Sequence, residues 1–414
     1  MELKPGYKHT EVGMIPEDWS TPCLGQLTHS VEYGSSAKSR PSGKIPVLRM
    51  GNLQDGGVDW RDLVFTNNDA EIRRYLLSPG DVLFNRTNTI DLVGKTAIYK
   101  GEQLAIFAGY LIRIIENKSL LDSRFLNYVL NAEFSKKYSL KILSVAVGQA
   151  NINGKKLKTY PVPIPPTLTE QQTIAEALSD ADALIESLVP LLTKKRQIKQ
   201  GVMQALLTGQ TRLTGFYGAW EHNQLKQIVQ TPITDGPHLT PKFQGDGVPF
   251  LSVNNLVNNR IDFSDLRFIS TADHEVFSKK CRPRKGDILL GKAASVGKVA
   301  LVESDIDFNI WSPIAMIRVS SSYCSRFIYY QLQSMSLVRQ IALLTNSSSQ
   351  GNIGMGDIEK LVVGCPQYDE QIAISTIISA HDDEIEVLEA KLQKARHLKQ
   401  GMMQELLTGR IRLV

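Results

Sequence analysis

The sequence writes one phrase twice. "KQGVMQALLTGQTRL" fills residues 199–213 and "KQGMMQELLTGRIRL" fills 399–413, with eleven of fifteen positions identical at a spacing of 200 residues. The match extends upstream without a gap from 156–213 to 356–413, so that Pro166/Pro366, Glu170/Glu370, Gln171/Gln371, Asp182/Asp382 and Arg196/Arg396 coincide. Further back it is fainter. "IPVLRMGNL" (45–53) answers "VPFLSVNNL" (248–256), "PGDVLF" (79–84) answers "KGDILL" (285–290), "VGKTA" (93–97) answers "VGKVA" (296–300) and "GQANI" (148–152) answers "SQGNI" (349–353). Duplication on this scale restricts the chain to a tandem of two units, each with a divergent front part and a close-matched back part. The expected segments are 1–155, 156–213, 214–355 and 356–414.

The back parts read as long helices. Apolar residues fall at Ile174, Leu178, Ile185, Leu188 and Leu192, and again at Ile374, Ile378, Ile385, Leu388 and Leu392. This alternating spacing of three and four makes a narrow stripe, the signature of a seam that wants a partner helix. Each helix starts after a proline-containing stop, "YPVPIPPTLTE" or "GCPQYDE", and ends where Gly209 or Gly409 can take a left-handed C-cap. About 39 residues at ~1.5 Å each predict a rod of roughly 58 Å. Pro190 stands where the second copy has Ala390, which predicts a kink or break. Because compact domains keep their termini close, the two rods are expected to run antiparallel, with a globular domain at each end and an approximate two-fold axis between them.

The front parts alternate short apolar runs ("IPVLRM", "DVLF", "TAIY", "YLIRII", "GDILL", "IAMIRV") with Gly, Asn, Asp and Pro turns. They read as strands, with helices expected at 123–138 and 325–341. The fold class is therefore α+β: two globular domains on a coiled-coil-like pair of long helices.

Charge and cysteine usage narrow the function. A net charge of +5 and a pI near 8.8 permit a polyanionic partner without demanding one. No apolar run approaches the ~20 residues of a membrane helix, and "MELKPGYKHTEVG" lacks a secretory pattern, so the chain is expected in the cytoplasm, away from membranes. Cys23, Cys281, Cys324 and Cys365 form no CxxC pair and are expected as small buried apolar groups; metal ligation has no support. "VGKT" (93–96) ends like a phosphate-binding loop, but Thr89 occupies the position where that loop needs glycine, and a tight turn between two strands is the better reading. No catalytic constellation assembles.

What remains is a two-headed binding scaffold whose chemistry lies in polar loops. "SSAKSRPSGK" (35–44) carries Lys38, Arg40 and Lys44, "FNRTNT" (84–89) carries Arg86 and Asn88, and Lys95 follows in the glycine turn. In the second half "DGPHLTPKFQGDG" (235–247) offers His238 and Lys242, and "LLGKAASVGK" (289–298) offers Lys292, Ser295 and Lys298. Arg and Lys pair with phosphates or guanine edges and Asn can be bidentate to adenine, so these residues are candidates for duplex DNA contact.

The whole chain resembles the specificity subunits of type I restriction–modification systems. The resemblance rests on "GMIPEDW" (13–19), "IPPTLTEQQTIAEAL" (164–178) with its echo "CPQYDEQIAISTII" (365–378), the two "LLTG" helix ends and "DGPHLTPKFQGDGVPFL" (235–251). It implies a non-catalytic subunit in which 1–155 and 214–355 are target recognition domains, each reading one half of a bipartite, asymmetric DNA site. It also implies that the helices act as a ruler and dock two methyltransferase subunits, around Gln200, Leu206, Leu207, Gln400, Leu406 and Leu407. A restriction and translocase subunit completes such complexes, and S-adenosylmethionine, ATP and Mg would belong to the partner subunits. Competing readings are a subunit of a methylation-only or related system, and a coiled-coil adaptor that binds proteins rather than DNA.

Overall fold

A computed structural model describes residues 5–146, 148–345 and 351–413. Ser349 and Gln350 of the "SQGNI" echo lie outside the described residues. The chain divides into two compact units, Met1–Val189 with Ala390–Val414, and Pro190–Glu389.

The first unit is built on a four-stranded antiparallel sheet of β1 (Thr28–Tyr33), β2 (Val82–Asn85), β3 (Thr96–Ile98) and β4 (Leu111–Glu116), in the order β3-β2-β4-β1. All four residues of β2 are buried, as expected of a strand covered on both faces. Alternation sends Val82, Phe84, Ile112 and Ile114 to one face, against Phe125, Leu126 and Val129 of helix α1 (Ser123–Asn131). Leu83, Ala97 and Leu111 face the other way, onto Leu48 and Phe107 of a smaller sheet made by Ile45–Leu48, Val64–Thr66 and Ile106–Phe107. The predicted helix 123–138 is two helices. Ala132 takes an extended conformation (ψ 157°) and α2 (Glu133–Ile142) starts after it. The Asn131 amide, tied to Thr96 of the sheet through Oγ1 at 2.6 Å, anchors the break.

The second unit repeats this plan: β5 (Thr234–Asp235), β6 (Ile288–Gly291), β7 (Val299–Leu301) and β8 (Ile314–Ile317) form a sheet in the order β7-β6-β8-β5. Ile288, Leu290, Ala315 and Ile317 pack on Phe327, Ile328 and Tyr330 of α4 (Ser325–Gln331), while Leu289, Ile314 and Met316 meet Leu251 and Ile310 of a second small sheet. The helix expected at 325–341 is likewise interrupted, because Ser334 caps a new helix, α5 (Met335–Leu344), by accepting from the Leu337 amide. The "VGK" motifs are tight turns: Gly94 (φ 90°) and Gly297 (φ 89°) each sit between two sheet strands.

Two 39-residue helices, α3 (Leu168–Leu206) and α6 (Tyr368–Leu406), run from one unit into the other. The break expected at Pro190 does not occur. Its ring lies on the exposed side, where water can reach the Glu186 carbonyl that proline leaves without an amide partner. Within the first unit, the start of α3 and the end of α6 pair antiparallel, as shown by Asp182–Lys399 and Glu170–Arg412. Within the second, the start of α6 pairs with the end of α3 through Glu370–Arg212, Asp382–Lys199 and Glu384–Lys195.

Cysteine burial is uneven. Cys281 and Cys365 are buried but Cys23 is exposed and Cys324 half-buried, which corrects the expectation of four buried thiols. Burial pushes the thiol of Cys281 up to about 11 and that of Cys365 up to about 12. At neutral pH a thiol reagent is therefore expected to label Cys23 rapidly, and Cys281 and Cys365 only after unfolding; a spectrophotometric thiol count before and after denaturant checks this.

Candidate nucleic-acid interface

Each head brings the same two loops together. In the first unit, one loop leaves β1 at Gly34 and runs to Lys44; the other leaves β2 at Arg86. In the second, the loops leave β5 at Gly236 and β6 at Lys292. Gly34 and Gly236 have no alternative: an added Cβ would lie 2.3 Å from the Phe107 carbonyl oxygen or 1.6 Å from that of Ile310. Arg86 and Lys292 hold equivalent backbone places. Their amides donate to Tyr110 (3.1 Å) and Pro313 (2.8 Å), and their carbonyls accept from Ile152 and Ile353, both at 2.9 Å.

The chemistry at this shared place differs between heads. The Arg86 guanidinium lies 4.8 Å from the centroid of the Tyr33 ring, with Nη1 donating to the Gly109 carbonyl at 3.3 Å. Its buried Nε finds no acceptor among the described residues. In the second head Asp235 replaces the ring, and its carboxylate takes Lys280 at 2.5 Å, Lys292 at 3.1 Å and His238 at 3.4 Å. Burial raises the Asp235 pKa, but hydrogen bonds from Lys280 and Lys292 outweigh it and hold the carboxyl below its usual range. The Lys292 ammonium is thus held inside the head by a carboxylate that it shares with Lys280, whereas the candidates on open loops keep their charge available.

Those open positions are Lys38, Arg40, Lys242 and Lys298, all exposed. Arg40 and Gln244 occupy equivalent bridges, to Phe65 and Phe268, so Lys38 and Lys242 belong to the same loop in their respective heads. Lys44 is paired with Asp69 at 3.1 Å on the surface. Asn88 is half-buried in the short strand Thr87–Asn88, which pairs with Gln149–Asn151. Lys95 is half-buried and reaches Gln54 at 3.3 Å, and Ser295 is half-buried in the turn after Lys292. His238 is exposed beside Asp235.

The repeated back parts form a junction between head and helices. Glu170 and Glu370, each only 1% exposed, are gripped by Arg412 and Arg212 respectively, with one Nη2–Oε2 distance of 2.7 Å in each pair. The neighbouring Gln171 and Gln371 accept from the Asp122 and Cys324 amides at the start of α1 and α4 (3.0 and 2.9 Å). The "EQ" of the repeated motif is thus a clamp: Glu holds the tail of the other long helix and Gln holds the head. Gly209 (φ 69°) and Gly409 (φ 68°) close the helix ends against Trp220 and Trp19, where a Cβ would lie 3.2 and 3.0 Å from the indole.

The apolar stripe is less uniform than its spacing. Ile174, Leu178, Leu188, Leu192, Ile374, Ile378, Ile385 and Leu392 are buried, while Ile185 and Leu388 are half-buried. Ile174 and Leu178 share a core with head residues and with Leu406 and Leu407; Ile374 and Ile378 do the same with Leu206 and Leu207. These four leucines, expected at a docking surface, are at most 6% exposed and present nothing to a partner, because each helix end is the floor of a head. Gln200 and Gln400 are exposed. They lie in two grooves of about 770 and 750 Å³, one per unit, which share Arg396/Arg196, Lys399/Lys199, Gln400/Gln200, Met403/Met203, Gln404/Gln204 and Thr408/Thr208 as lining.

These features define a class: a chain that carries one head-and-helix module twice. The sequence profile of the type I restriction modification DNA specificity domain matches residues 16–198 and again 218–397, and the chain belongs to that family. It is 28% identical to the putative type I restriction enzyme MjaX specificity subunit of Methanocaldococcus jannaschii, covering 98% of this chain and 97% of the relative. It is 26% identical to the EcoKI specificity subunit of Escherichia coli, covering 96% and 90%. The fold matches that of a type I restriction–modification S subunit from M. genitalium with a TM-score of 0.65 and 13% identity, over 98% of both chains. No helix among the described residues is long and apolar enough to cross a membrane.

Sequence reasoning missed Tyr33 and Lys280, which carry no motif, and passed over Asp235 at the head of the "DGPHLTPKFQGDG" loop; all three acquire meaning only where two loops meet. It aligned Glu170/Glu370, Gln171/Gln371 and Asp182/Asp382 without assigning them contacts. Identical polar residues on an otherwise apolar stripe were the available signal.

Proposed function

We propose that this chain is the specificity subunit of a cytoplasmic type I restriction–modification complex. Each head reads one half of a split, asymmetric duplex site, and the chain itself performs no catalysis. The observation that carries this reading is the pairing of a like junction with unlike heads: the Glu–Arg, Gln–amide and Gly–Trp contacts recur in both units, while Tyr33/Arg86 and Asp235/Lys292 differ at the equivalent place. A frame kept constant under changing loops suits two readers of different sequence. Exposed Lys38, Arg40, Lys242 and Lys298 supply phosphate contacts, which makes binding salt-sensitive. Helices α3 and α6, continuous from unit to unit, set the spacer between half-sites.

Two methyltransferase subunits dock on the two like grooves. Among the identical residues that remain exposed on the helices, Arg196/Arg396, Gln200/Gln400 and Gln204/Gln404 lie in the grooves, with half-buried Met203/Met403 between them. S-adenosylmethionine, ATP and Mg belong to these partners and to a restriction subunit. Mapping methylated adenines in a host genome with and without the gene tests the reading. One bipartite motif with different halves is expected to lose methylation when the gene is removed; an unchanged methylation map contradicts it.

A further inference from the structure

In each unit a tyrosine, an aspartate and a lysine from three different elements meet at one point. In the first, the Tyr128 hydroxyl of α1 donates to Asp182 Oδ2 of α3 at 2.7 Å, and Lys399 Nζ of α6 reaches Asp182 Oδ1 at 2.5 Å and lies 5.7 Å from the Tyr128 ring centroid. In the second, Tyr330 of α4 donates to Asp382 Oδ2 of α6 at 2.7 Å, and Lys199 of α3 reaches Asp382 Oδ1 at 2.6 Å and lies 5.7 Å from the Tyr330 ring. The lysines and aspartates are 16–25% exposed, so the nodes are partly withdrawn from water. The heads have diverged around them, yet the same three residue types recur in the same geometry.

Stability alone does not call for such a node. A half-buried ion pair is often no more stabilising than apolar residues of similar volume, and its best-attested use is to fix register. Register is set by polar contacts, of which the node is one and the Glu–Arg clamp another. A stripe of Ile and Leu repeating every three or four residues packs nearly as well after a slip of one turn, whereas the aspartate can meet both its lysine and its tyrosine in one alignment only. The node also joins head, first long helix and second long helix at one polar point. A base-reading loop discriminates only if it is held to a fraction of an ångström, and groups far from the contact can control that.

We propose that Tyr128 with Asp182 and Lys399, and Tyr330 with Asp382 and Lys199, are positioning residues for DNA discrimination, each node orienting the head of its own unit. This rests on the reading of the heads as half-site readers. The test uses the chain in complex with its methyltransferase subunits and compares methylation of the native split site with sites carrying one base change in either half. Tyr330→Phe, which removes only the hydroxyl, is expected to reduce discrimination roughly tenfold, the size of one hydrogen bond to a charged acceptor. The loss is confined to the half read by the second head, and Tyr128→Phe gives the mirror result. A merely structural role would weaken methylation of every site alike, so unchanged discrimination, or an equal fall in both halves, overturns the proposal. Should Tyr330→Phe fail to assemble, Asp382→Asn carries the same expectation and the same contrary result. A wild-type complex that shows no half-site structure at all overturns the specificity reading instead, and the two failures are told apart by that control.

Discussion

Arg412→Ala is expected to destabilise the first unit by about 3–5 kcal/mol, the cost of leaving a buried carboxylate without its partner. Glu170 is 1% exposed, and Arg412 binds it through Nε and Nη2 while also reaching Asp18 at 3.0 Å and lying 6.0 Å from the Trp19 ring. Without the guanidinium, the carboxyl must remain charged in a poorly solvated place, take up a proton, or force the tail of α6 open to water. Each route costs free energy, and against a typical total of ~5–15 kcal/mol the loss is severe. Arg410, two residues away, offers the control. It pairs with Glu405 across 3.4 Å with both side chains more than a third exposed, so Arg410→Ala should cost no more than about 1 kcal/mol. Adding Glu170→Gln to Arg412→Ala should recover part of the loss, because the stranded group is then uncharged. Urea unfolding of the three variants provides the measurement; equal effects of Arg412→Ala and Arg410→Ala would show that the clamp contributes little. Arg212→Ala is expected to act in the same way on the second unit through Glu370.

Met203→Glu is expected to remove one of two methyltransferase subunits, and Met403→Glu the other, with DNA binding by the isolated chain unchanged. Each methionine is half-buried in its groove, between the exposed amides of Gln200 and Gln204 or of Gln400 and Gln404. A carboxylate set into an apolar contact must be desolvated on docking with no partner supplied for it, which is expected to weaken binding at that groove 100-fold or more, on the order of 3 kcal/mol. Both methionines also pack against the edge of a head core, so a thermal melt of each variant is the control that separates lost docking from lost fold. Mass measurement of the assembled complex distinguishes the outcomes: loss of one partner copy per substitution supports the grooves as docking sites, and full occupancy with either variant excludes them.

Much of this architecture was legible in the sequence, for identifiable reasons. The two long helices were readable to their ends because Gly209 and Gly409 stop them and the apolar spacing never leaves the helical period. The core strands were readable because Val82–Phe84 and Ile288–Leu290 are continuous apolar runs. The break expected at Pro190 is absent, since the lack of one amide matters little on a helix side that water reaches. The helices after β4 and β8 were merged because Ala132 and Gln333–Ser334 carry no glycine or proline, and the break depends on Asn131 reaching a strand distant in sequence. Leu206, Leu207, Leu406 and Leu407 were misassigned for the opposite reason. Repetition of a residue does not tell whether it faces an external partner or a head that is itself repeated, and only their burial separates the two. The candidate DNA-contacting loops were chosen by composition, but the contrast between an Arg86 stacked on Tyr33 and a Lys292 paired with Asp235 depends on residues more than 50 positions apart in sequence, which no local pattern links.

Replacing residues 214–355 with the corresponding head of another family member, followed by mapping of methylated adenines, tests the two-reader arrangement most directly. Because the clamp, the glycine cap and the Asp–Lys pair come from the long helices and tails, the new head should seat on the old frame. One half of the methylated motif is expected to change to that of the donor while the other half stays as it was. A change in both halves, or in neither, would contradict two heads that read independently.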